Sequence, residues 1–193
     1  MENEKSGFTV IEVSLVLALA GLIFLMVFLA LPALQRSQRD TSRREAVTKL
    51  IREIKNYQSN SGRGNLPGAS DTINGVLQIN GKTAANNSSA LATSWTGFYR
   101  DYLGKNFVDP DGEEYNLLVA KCSSTAKVDQ SCTDNKNQLN NLYGAGFPNG
   151  YKMYVIIGAT CDGETAVATS NPRNAAVLYR LEGAGIYCSS TSL

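Results

Sequence analysis

Residues Val13–Leu34 read VSLVLALAGLIFLMVFLALPAL. They carry no charge, and Ser14 is their only hydroxyl. About 20 apolar residues suffice for a helix to cross the hydrocarbon core of a bilayer, so this run is read as a membrane span. A cleaved secretory signal fits poorly. Its apolar core would be about 7–15 residues, with basic residues before it and a small-residue cleavage site after it. Here the preceding segment, MENEKSG, holds two Glu and one Lys, and Ala30-Leu31-Pro32 is a poor site.

Outward from the span on its N-terminal side stands Glu12. A carboxylate at the mouth of an apolar run is costly unless it is paired. Its context is Lys5-Ser6-Gly7-Phe8-Thr9-Val10-Ile11-Glu12, with the apolar helix directly behind. This resembles the processing site of type IV pilins and pseudopilins, G-F-T-x-x-E. The resemblance covers Gly7 to about Leu34 and, in general layout, the rest of the chain. It implies a leader over residues 1–7, cut after Gly7 by a membrane prepilin peptidase, and an N-methylated Phe8. It gives Glu12, with Thr9, to assembly. The new α-amino group is cationic near neutral pH. In a bundle of apolar helices, Glu12 of one subunit would neutralise the amine of a neighbour. An unpaired ion there would cost several kcal/mol, so the pair would set register. The expected partners are further copies of this chain, the peptidase, an inner-membrane assembly platform, and membrane lipid before assembly.

The leader departs from the usual basic pattern: Glu2 and Glu4 against Lys5 leave a net charge of −1. Arg36, Arg39, Arg43, Arg44, Lys49 and Arg52 all follow the span. The positive-inside rule would then place the C-terminal part in the cytoplasm. The cysteines and the shortness of the leader argue for the opposite topology, a single pass with an extracytoplasmic C-terminus.

On the C-terminal side the helical period continues. Val47, Leu50, Ile51, Ile54 and Tyr57 form one apolar stripe. The other face is assigned Arg36, Arg39, Arg43, Arg44, Lys49, Arg52 and Lys55 with Asp40, Glu45 and Glu53. The Asp40/Arg44 and Glu45/Lys49 pairs have favourable i,i+4 order. Serine, asparagine and glycine over 59–64 end the pattern. The long helix is thus placed over residues 8–58, and a globular head over 59–193. Pro32 and Gly21 are weak points where a kink is expected. The basic face invites a DNA-binding reading, since some pilin-like filaments take up DNA. The interleaved acids favour a solvated face instead.

In the head, Trp95, Phe98, Tyr99, Tyr102 and Leu103 have helical spacing, and core packing explains them better than a ligand platform. Asp109-Pro110-Asp111-Gly112 is turn chemistry. The carboxylates Asp109, Asp111, Glu113 and Glu114 resemble the calcium-binding turn of some pseudopilins, and hard oxygens suit calcium. The full twelve-residue calcium pattern is missing, so a plain turn is the reading and no cofactor is expected. Candidate strands are 75–79, 115–120, 152–157, 175–181 and 186–188. No helical pattern separates them, so an antiparallel sheet packed on the amphipathic half of the helix is expected, an α+β fold.

The chain has no histidine, and its formal net charge is +1. That removes His-based triads and argues against a dedicated nucleic-acid binder. No nucleophile–base set, phosphate loop or metal cluster stands out, so an enzyme is not expected. The cysteines, Cys122, Cys132, Cys161 and Cys188, contain no CxxC. An even count beside a membrane span reads as two disulfides in an oxidising space. Of the three pairings open to four cysteines, strand and loop positions favour Cys122–Cys132 and Cys161–Cys188. The leading functional reading is a structural subunit of a surface filament serving adhesion, motility or DNA uptake. The others are a pseudopilin of a secretion or competence machine, and a solitary membrane-anchored binding domain.

Overall fold

Helix α1, Val10–Asn60, begins in the apolar run and ends in the polar Ser-Gly-Arg-Gly segment. The computed structural model describes residues 7–68, 77–80, 83–84, 90–104, 106–121, 152–183 and 185–192. The chain divides into two compact units, with the boundary between Arg39 and Asp40. The division falls inside α1, so the amphipathic half of the helix belongs with the sheet. Helix α1 continues across Pro32, although proline has no N–H to donate to the preceding turn. At the C-terminal end, the Ser61 and Gly62 N–H groups both donate to the Tyr57 carbonyl, at 2.9 and 2.7 Å. Arg63 and Gly64 then take positive φ, 49° and 83°, which stops the helix. A Cβ at Gly62 would collide with the Asn65 carbonyl and the Tyr57 ring.

In the second unit, α1 is followed by β1 (Leu77–Asn80), β2 (Thr83–Ala84) and α2 (Ala90–Phe98). A π-helical turn over Tyr99–Leu103 continues α2, closed by the Gly104 N–H bonded to the Tyr99 carbonyl at 3.0 Å. Then come β3 (Asn116–Lys121), β4 (Lys152–Ile157), β5 (Ala159–Asp162), β6 (Thr165–Ala168), β7 (Ala175–Arg180) and β8 (Ile186–Ser190). The main sheet has the order β2-β1-β3-β4-β7-β8, and β5 and β6 form a separate hairpin.

The sheet is antiparallel except between β3 and β4, which run parallel from Asn116↔Lys152 to Lys121↔Ile157. The expected antiparallel sheet is thus present, with one parallel pair inside it. A parallel pair needs a crossover of a dozen residues or more, and residues 122–151 supply that length. Cys122 and Cys132 fall in this stretch, so their predicted pairing lies outside the described residues. So does most of the linking segment 69–89.

Alternation along the strands splits the core in two. Leu117, Val119, Met153, Val155, Ile157, Val177 and Tyr179 face the helix side, where they meet Val47, Leu50, Ile51 and Ile54 of α1. The intervening residues Leu118, Tyr154, Ile156, Ala176 and Leu178 face the other way, onto Ala159 and Ala166 of the β5–β6 hairpin. Side chains that alternate between faces explain both clusters. Burial on both faces explains why β3, β4 and β7 are nearly continuous apolar runs. The aromatic set joins the helix-side cluster: Trp95, Phe98, Tyr99 and Leu103 are buried, and Tyr102 packs against them. Tyr57 meets the Phe98 ring edge-on at 5.8 Å.

Cys161 and Cys188 form a disulfide, with Cα atoms 5.8 Å apart and a sequence separation of 27. Cys161 follows β4, as expected, and lies within β5, a strand not foreseen. The bridge clips the hairpin to edge strand β8. Replacing both cysteines by serine is expected to lower unfolding stability by about 2–4 kcal/mol, the usual worth of such a closure. Urea denaturation of the full chain in detergent checks this. The loosening should show first as lost exchange protection in β5 and β6.

Candidate functional site

The start of α1 is built from Thr9 and Glu12. The Thr9 backbone N–H donates to Glu12 Oε2 at 3.2 Å, and Thr9 Oγ1 donates to the same oxygen at 3.1 Å. The Glu12 backbone N–H donates to Thr9 Oγ1 at 3.3 Å. This is a reciprocal capping box, which satisfies two N–H groups that a helix start leaves without partners. A carboxylate in the first turn also suits the positive end of the helix dipole. The segment Thr9-Val10-Ile11-Glu12 carries the T-x-x-E spacing of that motif, a second meaning of residues read above for processing and assembly. Ser14 donates from Oγ to the Ile11 carbonyl at 2.9 Å, so the one hydroxyl of the apolar run is satisfied within the helix.

Beyond this cap, the apolar side chains stand bare. Phe8 is 88% exposed, and Val10, Ile11, Leu15, Val16, Leu17 and nearly every larger apolar residue to Leu34 are exposed as well. The helix is long and apolar enough to cross a membrane. Exposed apolar area on this scale, on every side of a helix, marks a surface that lipid or protein must cover.

The second polar centre lies where α1 meets the sheet unit. Arg43 was placed above on the solvated face; it is buried, at 5% exposure. Its guanidinium donates through Nε to Asp109 Oδ2 at 2.9 Å and through Nη2 to Asp109 Oδ1 at 3.1 Å, a bidentate pair. Nη2 also reaches Asp111 Oδ2 at 3.2 Å, and Nη1 donates to Glu182 Oε1. Asp40, one turn earlier on the same face, accepts the Glu182 and Gly183 N–H groups at 2.8 and 2.9 Å. Asp40 thus serves the β7–β8 turn; the pairing read above was with Arg44. A Cβ on Gly183 would sit 3.0 Å from Asp40 Oδ2, so the turn is small where the carboxylate approaches.

Local turn chemistry delivers Asp109. The Gly112 N–H closes on the Asp109 carbonyl at 2.8 Å, with Pro110 second in the turn and Gly112 at φ 91°. The Asp111 N–H donates to Asp109 Oδ1 at 3.2 Å. Burial alone would push the Asp109 carboxyl upward. The Arg43 hydrogen bonds and the Asp111 N–H outweigh it and hold the group below its ordinary range. For Arg43, burial opposes the charge, but the hydrogen bonds to Asp109 and Glu182 outweigh it and raise its pKa. Burial and the Asp109 charge likewise push the Tyr115 phenol up.

Of the four acids suggested for calcium, Asp109 and Asp111 converge on a guanidinium, while the Glu113 and Glu114 side chains stay exposed. Among the described residues, no three His, Cys, Asp or Glu side chains gather in a metal-binding arrangement. Gly7 and Phe8 are exposed just ahead of the cap. The signal that would have found Arg43 is periodicity. Asp40 and Arg43 extend the Val47–Leu50–Ile54 stripe backwards at helical spacing. No protein-family model, curated protein or solved structure matches this chain.

A carboxyl whose pKa is lower folded than unfolded stabilises the fold above its unfolded value. That contribution is lost as pH falls through the folded value. Wild-type stability should therefore fall steeply below about pH 4. Asp109→Asn should cost about 3 kcal/mol at pH 7, the penalty for breaking a buried pair. It should also flatten the acid slope. Urea titrations at pH 7 and across the acid range read both effects.

Proposed function

We propose that this chain is a structural subunit of a surface filament of the type IV pilin kind, made as a precursor and cut between Gly7 and Phe8. The observation that carries the reading is a helix bare and apolar on all sides from Val10 to Leu34, led by a single carboxylate fixed in its first turn. Before assembly, lipid would cover that surface, with the C-terminal unit outside the cytoplasm, where the Cys161–Cys188 bridge is stable. After assembly, the helices of neighbouring copies would cover it instead.

The capping box bears on the same reading. Both of its bonds to the carboxylate end on Glu12 Oε2. Oε1 is left to meet the cationic amine of another copy's Phe8 while the helix start stays capped. A solitary membrane anchor would use Glu12 as a cap alone, whereas a polymerising subunit also uses its charge, which is expensive near lipid unless paired. Prepilin peptidase and an inner-membrane assembly platform are the partners this role requires.

Mass spectrometry of the native protein should show loss of residues 1–7 and a methylated Phe8. An intact leader, or a cut after Ala30, would refute the assignment. Glu12→Gln keeps the capping hydrogen bonds and removes the charge. It should leave a folded, membrane-inserted subunit and cut filament yield at least about tenfold, since an unpaired buried amine costs several kcal/mol. Glu12→Ala should do the same. Normal filaments from Glu12→Gln but not from Glu12→Ala would assign Glu12 to the cap alone.

A further inference from the structure

In the second unit, α1 is held by two chemically different contacts in series along one face. From Val47 to Ile54 the contact is apolar and complete: Val47, Leu50 and Ile54 are fully buried. One to two turns earlier, at Asp40 and Arg43, the buried face is ionic. The groups that meet it come from two turns rather than from strand backbones. Asp109 and Asp111 lie in the turn ahead of β3, and Glu182 and Gly183 lie in the turn between β7 and β8. The sheet's own contribution is Tyr179, whose hydroxyl reaches Asp109 Oδ2 at 3.4 Å. Tyr115, just ahead of β3, is also fully buried.

Two other cations of α1, Arg44 and Lys49, face aromatic rings. Arg44 lies over the Tyr187 ring and Lys49 over the Phe107 ring, each at 5.6 Å. The Arg43 guanidinium gathers Asp109, Asp111 and Glu182, with Asp40 at 3.7 Å. Bonds that converge on one group are lost together. The Asp111 and Glu182 side chains are 38% and 30% exposed, so water can enter from the rim without crossing the apolar core.

We propose that Asp40 and Arg43 form a strap that opens as a cooperative unit of its own, releasing the 109–114 turn and the Glu182-Gly183 pair from α1 while the sheet and the apolar stripe stay closed. Proteins open in such sub-global units where apolar contacts are few and polar ones many. The strap gives α1 a segment that can yield without unfolding of the core. This inference stands whether or not the chain polymerises.

Hydrogen exchange of the full chain in detergent at neutral pH tests it, with Arg43→Met against wild type. The Glu182 and Gly183 amides, which donate to Asp40, and those of Asp111 and Gly112 should exchange at least about tenfold faster. The amides of Met153–Ile156 and Val177 should keep wild-type rates. Should Arg43→Met fail to fold, Asp111→Asn, which removes only a half-exposed partner, is read at the same amides. Acceleration confined to the two turns supports the strap. Equal acceleration in β4 and β7 overturns it, because strap and core are then one unit. Unchanged turn amides in a folded variant overturn it as well.

Discussion

Apolar surface must leave water, and this chain carries more of it than its own fold covers. Burial is worth roughly 25 cal/mol per Å², and the first half of α1 displays Leu, Ile, Val and Phe on every side. Within the compact sheet unit, the described apolar faces are already occupied. The sheet's helix side is filled by Val47, Leu50, Ile51 and Ile54, and its other side by the β5–β6 hairpin. Lipid first and like helices later is the solution the proposed function offers. The capped Glu12 explains how such a helix could begin with a charge.

The chemistry of α1 changes along its length, and each change has a structural counterpart. The capping box closes the N-terminal N–H groups. Asp40 and Arg43 then bind two turns by directional, charge-assisted bonds, which fix position better than they add stability. The apolar stripe after Arg43 supplies non-directional burial, and the left-handed Arg63-Gly64 pair ends the helix. A buried ion pair beside an apolar stripe also disfavours a slipped register, because a shift of one turn would strand Arg43 among apolar groups.

Long, strongly periodic features were legible in the sequence. The apolar run, the amphipathic stripe, the aromatic helix, β4 and the Cys161–Cys188 pairing could all be read from composition and spacing. The parallel pairing of β3 with β4 could not, because sequence pattern does not reveal strand direction when the crossover shows no helical period. Strands β5 and β6 escaped because each has only four residues, among Gly, Asp and Thr, and alternation over so short a length is weak. Arg43 was assigned to solvent because a lone charge between other charges looks exposed. Only its four acidic neighbours, three of them far away in sequence, make its burial affordable. The proposed processing and assembly roles of Gly7, Phe8, Thr9 and Glu12 were read from the G-F-T-x-x-E motif.

The claim that neighbouring copies cover the apolar half of α1 is tested most directly by electron cryo-microscopy of material sheared from the surface of producing cells. The account predicts filaments whose centre is a bundle of α1 helices, with residues 10–34 of each copy packed on other copies. A Phe8 amine should lie within hydrogen-bonding distance of a neighbour's Glu12. Recovery of the chain only from the membrane fraction, as single copies whose α1 contacts lipid alone, would contradict it.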